Sequence, residues 1–315
     1  MVLCLGILFV APWIGSTDVT WRRVLAGTSP DREIFLVARL PRVLFAGLVG
    51  GALATAGVLF QAILRNPLAD PFTLGVSAGS SLGAFIAIWW GLETVVFGIP
   101  IVSVAAFIGA FLTILLVFFI ARSGGGVPTF TLILAGVTLN FVFFAMMMFI
   151  HYAADFSQSY LMTRWTMGAL DTADMRTVAG AAPFVIACLF GLIWIGPQLN
   201  PLAAGEEWAA SRGVNVRRLK TISYFIASIL TGAVTAFSGP IGFVGLIVPH
   251  TIRLVLGPDH RLLIPASFFL GSAFLVLCDT AARTIFAPTE IPVGVITALL
   301  GGPFFIALLK RGFPK

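Results

Sequence analysis

Residues 39–71 read RLPRVLFAGLVGGALATAGVLFQAILRNPLADP, and this stretch decides the class of fold. A helix from Arg42 to Leu64 is about 34 Å long at about 1.5 Å per residue, which is enough to cross a hydrocarbon core of about 30 Å. Its glycines and alanines allow neighbouring helices to approach closely. Charges and prolines flank it on both sides, so the stretch predicts one crossing of a membrane protein with several helices.

The composition of the whole chain agrees with this prediction. Of the 315 residues, 59% are hydrophobic and 10% are charged, whereas soluble proteins carry about 25% charged residues. The basic residues stand at the ends of apolar segments and form no basic patch with interleaved aromatic residues, so we expect no nucleic-acid partner. The sequence predicts an all-α integral membrane protein with a single polytopic domain over residues 1–315.

Apolar runs along the chain predict about ten transmembrane helices. The first run is short and no Lys or Arg precedes it, which leaves room for a start upstream of Met1. A miscounted span is expected first at the short run 244–256. The ten runs cover residues 1–16, 42–64, 73–91, 98–121, 130–152, 177–197, 219–238, 244–256, 264–283 and 292–309.

The loop charges predict the orientation. An even number of spans puts both termini on one side, and that side holds 11 of the 19 basic residues, including all three lysines. By the positive-inside rule, both termini are cytoplasmic. The predicted cytoplasmic segments are residues 65–72, 122–129, 198–220, 253–263 and 310–315.

Signatures of catalysis and of metal binding are weak. Gly75–Gly79 fits the GxSxG pattern of a hydrolase, but it opens an apolar helix, so small-residue packing is the favoured interpretation. The three cysteines and three histidines show no metal-ligand spacing, so we expect no metal site. No lysine stands in a GxxxxGK[ST] motif, so an energised transporter would need ATP and Mg on a separate ATPase subunit.

Two polar features of the sequence, the segment 206–213 and a repeated tetramer, each allow two interpretations. Residues 206–213 predict a short helix with acids at its start and Gly213 as its C-cap, which is either a docking element or an amphipathic linker. The tetramer Asn-Pro-Leu-Ala at 66–69 recurs at 200–203; chance is preferred to an internal duplication, although two groups of five spans would fit one.

These motifs resemble those of the FecCD/BtuC-like permeases, the membrane subunits of type II ABC importers for iron–siderophores, haem and vitamin B12. Gly-Glu-Glu-x-Ala-Ala-x-x-Gly at 205–213 is similar to the coupling-helix motif of that family, with Arg212 in place of its usual Leu. SGPIGFVGLIVPH at 238–250 is similar to its second signature. Later matching positions are Arg253, Gly257–Arg261, Asp279, Arg283, Glu290, Pro292, Gly294, Thr297, Gly301, Pro303 and Phe305.

The resemblance implies a permease rather than an enzyme. It implies a homodimer with two ATPase subunits and a periplasmic binding protein that delivers a metal chelate across the bacterial inner membrane, with ferric siderophore as the first choice and haem and cobalamin close behind. The remaining alternatives are an ion-coupled secondary transporter and, more distantly, an intramembrane hydrolase. Coupling ions usually need ionisable residues near the midplane, where the predicted spans place almost none apart from His151, near a helix end.

The resemblance also assigns roles to residues. Arginines on the predicted outer side run against the positive-inside bias, and the family uses such positions to receive acids of the binding protein; the alternatives are snorkelling or, for Arg283, a pair with Asp279. The gate could also be an ordinary stiff turn. The assigned residues are Arg39, Arg42 and Arg283 for docking, Asn66, Leu68, Thr129 and Phe130 for the cytoplasmic gate, and Gly205, Glu206, Glu207, Ala209, Ala210, Arg212 and Gly213 for the coupling helix.

Overall fold

Helices make up nearly all of the regular structure. The computed structural model describes residues 2–15, 17–96, 98–122, 128–171 and 173–311. The predicted loop 122–129 and the C-terminal segment 310–315 therefore lie partly outside the described residues. Short 3₁₀ turns cover Ala11–Trp13 and Pro71–Leu74, and a π-helical segment covers Ile34–Arg39.

The α-helices are numbered in chain order. One small antiparallel hairpin, β1 (Val95–Val96) with β2 (Ile99–Pro100), joins two of them. The helices are α1 Val2–Val10, α2 Trp21–Leu25, α3 Asp31–Glu33, α4 Leu40–Leu64, α5 Val76–Trp89, α6 Ile101–Ala121, α7 Thr129–Ala153, α8 Phe156–Thr166, α9 Met175–Ala204, α10 Glu206–Ser211, α11 Val216–Ser238, α12 Val244–Leu256, α13 His260–Thr284 and α14 Val293–Arg311.

Each predicted apolar run contains one helix. Within the described residues, six helices are long and apolar enough to cross a membrane: α4 with its extension from Asp31, and α6, α7, α9, α11 and α13. Four shorter apolar helices complete the set: α1 with its 3₁₀ turn, α5, α12 and α14. The all-α polytopic architecture is confirmed, and the doubtful run 244–256 is helix α12.

Helix α4 lies at the centre of the bundle. It packs against α9, α11, α12 and α13, and most of its side chains are buried. Gly50 faces the backbone of Gly271 in α13, and Gly57 faces the backbone of Gly245 in α12, so closely that any side chain at either position would collide with main-chain atoms. The small residues of the opening stretch therefore bring α4 into direct backbone contact with two neighbours.

The position of α12 explains its shortness. Its 13 residues span only about 20 Å at about 1.5 Å per residue. Gly245, near its start, packs beside Leu53 and Gly57, in the inner part of α4 rather than at one of its ends. The non-helical segment 239–243 covers the remaining distance from the end of α11.

Helix α4 begins further upstream than the sequence predicts. A continuous helix runs from Asp31 to Leu64, so Arg39 and Arg42 lie inside it rather than at its end. Pro41 lacks an N–H and cannot complete the usual hydrogen bond to the preceding turn, and the π-helical segment immediately before it accommodates the ring. The sequence-based boundary at Arg42 was wrong for this reason.

Helix α9 is also longer than predicted. Pro183, Pro197 and Pro201 all lie inside its 30 residues, because membrane helices tolerate prolines whose freed carbonyls find other partners. The segment between α9 and α11 is therefore residues 205–215, which contain α10, and is shorter than the predicted coupling segment 198–220. Asn200–Ala203 is helical whereas Asn66–Ala69 is a loop, so the repeated tetramer does not share a backbone conformation.

Helix α8 is an element that the apolar runs do not predict. Its start is a capping box in which Gln158 N donates to Asp155 Oδ1 (2.8 Å) and Asp155 N donates to Gln158 Oε1 (3.2 Å). The spacing Asp-x-x-Gln is the signal from which it could have been found.

The bundle has two ends, which are named here by the residues they hold. The arginine end holds Arg42, Arg283 and Glu290. The α10 end holds Asn66, Thr129 and α10.

Candidate functional site

At the arginine end, Arg42 clamps α4 to α13. Its Nε lies 3.0 Å from both carboxylate oxygens of Asp279, and its Nη2 lies 2.9 Å from Asp279 Oδ1. Its Nη1 donates to Glu290 Oε2 at 2.7 Å. The Asp279 side chain is 1% exposed and that of Glu290 is 43% exposed. The fork of the guanidinium thus joins a buried carboxylate to one at the surface.

The other two predicted docking arginines are buried and hold the end of the first apolar segment. Arg39 Nη2 donates to Thr17 Oγ1 at 3.0 Å, and Arg283 Nη2 donates to the carbonyl of Ala11 at 2.7 Å. Arg283 Nε also lies 3.9 Å from Asp279 Oδ2, one helical turn away. Both guanidinium groups contact other residues of the same chain and are buried. In this structure neither is therefore accessible to a partner, contrary to the sequence-based expectation.

A cavity of about 460 Å³ opens at the arginine end. Helix α8 provides one wall, including Tyr160 and Arg164, and the segment before α14 provides another, including Glu290 and Pro292. Arg42 also lines the cavity, and an ion pair joins two further lining residues, Arg164 and Asp171. Charged and aromatic side chains therefore line a space large enough for part of a small molecule or for a side chain of a partner.

At the α10 end, the predicted gate residues lie at the starts and ends of helices. Asn66 Oδ1 accepts a hydrogen bond from the backbone N–H of Leu68 at 2.9 Å, which closes a tight turn around Pro67. The Leu68 side chain is 38% exposed, and Phe130, the second residue of α7, is 76% exposed. Two apolar side chains are thus exposed close to helix ends, and their gating role stays a prediction.

The turn at Asn66 is tied to the rest of the α10 end through Gln61. Arg253 Nη2 donates to Gln61 Oε1 at 2.9 Å, and Gln61 Nε2 donates to the carbonyl of Gly245 at 3.1 Å. The backbone N–H of Asn66 donates to the carbonyl of Gln61. The last turn of α4 and both ends of α12 are therefore joined by polar contacts.

Asn200 makes quite different contacts from Asn66, despite the shared tetramer. Its Oδ1 accepts from the backbone N–H of His260 at 2.8 Å, and its Nδ2 donates to Asp259 Oδ1 at 2.7 Å. The hydrogen bond from Asn200, together with the one from the backbone of Arg261, lowers the pKa of Asp259. Asn200 therefore fixes the start of α13 and takes no part in a turn like that of Asn66.

The predicted coupling segment forms helix α10. It ends in a Schellman motif, because Gly213 N donates to Ala210 O (2.9 Å) and Val214 N donates to Ala209 O (3.0 Å). Gly213 has a φ of +79°, as a glycine C-cap requires. The sequence-based prediction of a short helix from Glu206 that ends at Gly213 is confirmed, whereas its contact with an ATPase stays a prediction.

Only part of α10 can meet a partner. Ala209 is fully buried against the membrane helices, so in this structure it cannot contact an ATPase, although the resemblance assigns it to the coupling helix. The exposed face carries Glu207, Trp208, Ala210 and Arg212. The guanidinium of Arg212 lies 4.6 Å from the centre of the Trp208 ring, a cation–π contact that fixes both side chains at the surface.

The side chain of Lys220 contacts both a predicted gate residue, Thr129, and a predicted coupling residue, Glu206. Lys220 Nζ donates to Thr129 Oγ1 at 3.0 Å and to Glu206 Oε1 at 2.9 Å. The sequence placed Lys220 in a cytoplasmic loop, but it is buried in the second turn of α11. A single lysine carries no recognisable pattern, so sequence reasoning missed this contact.

Chemistry at a metal or at an activated serine finds no support in the described residues. Among them, no group of three His, Cys, Asp or Glu side chains could hold a metal ion. Ser77 of the GxSxG pattern is buried inside α5, and Gly79 packs against Gly109 and Thr113 of α6. The Gly75–Gly79 pattern is therefore part of a helix–helix contact, as the sequence favours.

Comparison with known proteins agrees with this architecture. The model of the FecCD transport family matches residues 2–311. The cobalamin import system permease protein BtuC of Halobacterium salinarum is 44% identical over 300 residues, covering 95% of this chain and 79% of that protein. The hemin transport system permease protein HmuU of Yersinia pestis is 40% identical over 303 residues, covering 95% of this chain and 90% of that protein.

A solved structure gives the same result. A transporter described as of the metal-chelate ABC type, in an inward-facing conformation, superposes with a TM-score of 0.89 and 29% identity, covering 99% of this chain and 97% of that one. Family, relatives and fold thus agree over nearly the whole length. The chain belongs to the FecCD transport family and is a membrane permease subunit of an ABC importer rather than an enzyme.

Proposed function

We propose that this permease carries a metal chelate across the cytoplasmic membrane, from a periplasmic binding protein at the arginine end to the cytoplasm at the α10 end. ATP is hydrolysed on two copies of a separate ATPase subunit, which bind α10. The observation that carries the proposal is α10 itself, a helix that protrudes between α9 and α11 with Trp208 and Arg212 on its exposed face. Trp and Arg are the residues most enriched in interface hot spots.

The charges support this orientation. Basic residues near the α10 end include Arg65, Arg212, Arg217 and Arg218, as the positive-inside rule requires of a cytoplasmic face. Both termini are then cytoplasmic. At the arginine end, Arg39, Arg42, Arg164 and Arg283 make hydrogen bonds or ion pairs within the chain, so these four do not weigh against this orientation.

The functional unit is a homodimer around a central path. Helix α7 is as apolar as α4, yet only 17% of its most apolar window is buried, against 89% for α4. Large side chains on its exposed face include Phe141, Phe144 and Met148. A second copy of the chain covers part of this face and leaves the rest to line the path between the two subunits.

The predicted gate and docking residues fit this scheme with one change. Leu68 and Phe130 close the path at the α10 end. At the arginine end, the binding protein lies over the 460 Å³ cavity, where Arg42 holds Glu290 in position. Arg39 and Arg283 act indirectly, because they fix the first apolar segment against α4 and α13.

The names of two relatives, which specify cobalamin and hemin, support a metal chelate as the cargo. Both are large metal–tetrapyrrole-type chelates, so these two are tested first and a ferric siderophore third. The test is uptake into proteoliposomes that contain this chain, its ATPase and the binding protein. We expect accumulation of one labelled chelate with ATP and none without it. Uptake by this chain alone, driven by an ion gradient, would instead indicate a secondary transporter.

The docking of the ATPase is tested at Ala210. Ala210→Trp places a large side chain on the exposed face of α10 without disturbing the buried Ala209, so it should abolish co-purification of the ATPase while the permease still folds. Ala210→Ser keeps the small volume and serves as the matched control. Normal assembly and transport with Ala210→Trp would show that α10 is only a linker.

A further inference from the structure

Lys220 is a buried ammonium group in a helix that otherwise faces apolar neighbours. Its residue is 6% exposed, and it is the only lysine before Lys310. A buried charge is costly unless it is paired and hydrogen-bonded. The two partners, Glu206 at 2.9 Å and Thr129 at 3.0 Å, therefore hold the Nζ atom in a defined position.

These partners belong to two elements with different predicted tasks. Glu206 is the first residue of α10, the helix that we assign to the ATPase. Thr129 is the first residue of α7, next to Phe130 of the predicted gate. Helix α10 itself packs on α9 and α11, and among the described residues the Lys220 ammonium provides a contact that links α10 to the start of α7.

We propose that Lys220 is a positioning residue that transmits movement of α10 to the start of α7, and so couples ATPase docking to the gate. The inference rests on the proposed function and deepens it. When α10 moves with the ATPase, the Glu206 carboxylate draws the ammonium with it. The hydroxyl of Thr129 follows, and the first turn of α7 turns Phe130 toward or away from the path.

The burial of α11 and α7 suits this arrangement. The most apolar window of α11 is 67% buried and that of α7 is 17% buried. Helix α11 is therefore held on most sides by its neighbours within the chain, whereas α7 packs within the chain mainly on α5, α6 and the turn Pro71–Leu74. Lys220 extends from the more buried helix and contacts the first residue of the more exposed one, where a small displacement changes the position of the exposed Phe130 side chain.

The experiment measures the gate directly and needs no cargo. Phe130→Cys is placed in a chain whose Cys4, Cys188 and Cys278 are replaced by Ser, and the complex with the ATPase is assembled in inside-out vesicles. The labelling rate of the new cysteine by a membrane-impermeant maleimide is measured with and without ATP plus vanadate. We expect a change of about tenfold, which corresponds to one hydrogen bond to a charged group.

Three further variants in this background test Lys220 and its contact with Thr129. Thr129→Val replaces the hydroxyl by a methyl group of similar size, so the change in labelling should fall below about twofold while the ATPase still co-purifies. Thr129→Ser keeps the hydroxyl and should restore the change. Lys220→Met keeps the length of the side chain but loses both contacts and should abolish it.

The possible results distinguish a relay through Thr129 from a role of Thr129 in assembly alone. An undiminished change with Thr129→Val would overturn the relay, and so would loss of ATPase assembly with this variant, because Thr129 would then serve assembly only. Absence of any ATP-dependent change in the chain that retains Thr129 and Lys220 would contradict the proposed function itself. A change that Thr129→Val abolishes and Thr129→Ser restores supports the relay.

Discussion

Helices α4 and α7 have the same length and nearly the same apolar character, yet they occupy opposite environments. Both have 25 residues, and each is apolar enough to span a membrane. The most apolar window is 89% buried in the helix that contains α4 and 17% buried in α7. Hydropathy therefore identifies both as spans and does not say which one lies at the centre.

The difference between them lies in side-chain size. Helix α4 places Gly50 and Gly57 against backbone atoms of α13 and α12, and its close contacts are made within the chain. Helix α7 carries bulky side chains such as Phe141 and Phe144, which are more than half exposed. Small residues favour close helix packing, and large exposed ones leave a surface for lipid or for a partner. Substitutions in α4 should therefore affect folding, and those in α7 should affect assembly and transport.

The largest expected effect is at Gly50. Gly50→Leu would force a side chain into the backbone of Gly271 and into Leu275, and such overpacking costs about 3 kcal/mol or more where the backbone cannot move away. We expect little folded protein in the membrane and a large loss of thermal stability in detergent. Gly6→Leu, at a position with open space around it, is the matched control. Equal yields of both variants would contradict the central position of α4.

The ion pair between α4 and α13 should give the next largest effect. Asp279→Ala leaves Arg42 buried without its main partner, and breaking such a pair costs about 3–5 kcal/mol. The measurement is chemical or thermal unfolding of the purified permease. The double variant Arg42→Met with Asp279→Leu removes both charges and should recover most of the lost stability. A double variant no more stable than Asp279→Ala alone would argue against this explanation.

On α7, the expected effect is on assembly rather than on folding. Phe141→Ala removes an exposed ring from the proposed dimer surface, so we expect the dimer dissociation constant in detergent to rise about tenfold. Mass photometry measures the ratio of dimer to monomer. Phe190→Ala, which removes an equally exposed ring from α9, is the control. If both variants dimerise like the parent protein, the exposed face of α7 does not form the dimer contact.

The smallest effect on stability is expected at the gate. Leu68→Ala combined with Phe130→Ala changes two exposed side chains, so the free energy of unfolding should change by less than about 0.5 kcal/mol at each site. Leakage of cobalamin or haem from proteoliposomes in the ATP-bound state should nevertheless increase. Unchanged leakage and transport would leave the gate assignment without support.

Much of the fold could be predicted because its signals are local. An apolar run between charged or proline-containing segments forms a membrane helix largely regardless of its neighbours, which is why all ten runs contain one. The start of α10 and its glycine C-cap follow from the sequence for the same reason. The sequence-based boundaries of α4 and α9 were wrong at prolines, because a π-helical segment accommodates Pro41 and a membrane helix tolerates Pro197 and Pro201 in its interior.

The candidate site could be predicted only in part. The resemblance assigns Leu68 and Phe130 to the gate, and the structure places both exposed near helix ends. The resemblance does not single out Trp208, the exposed ring of α10. The environment of the arginines does not follow from the sequence, since an arginine at the end of a predicted span looks the same whether it faces a partner or a buried carboxylate. Ala209 and Ala210 are adjacent and chemically identical, yet one is buried and the other exposed, which depends on how α10 packs.

By itself, the sequence determined that this chain is a polytopic helical membrane protein, where its helices lie and which family it resembles, since hydropathy, caps and motifs are properties of short segments. Only the tertiary structure decided which helix is central and which charges meet. Arg42 and Asp279 are separated by 237 residues, and Lys220 joins Thr129, 91 residues away, to Glu206. Such contacts are set by the packing of whole helices, which no single segment encodes.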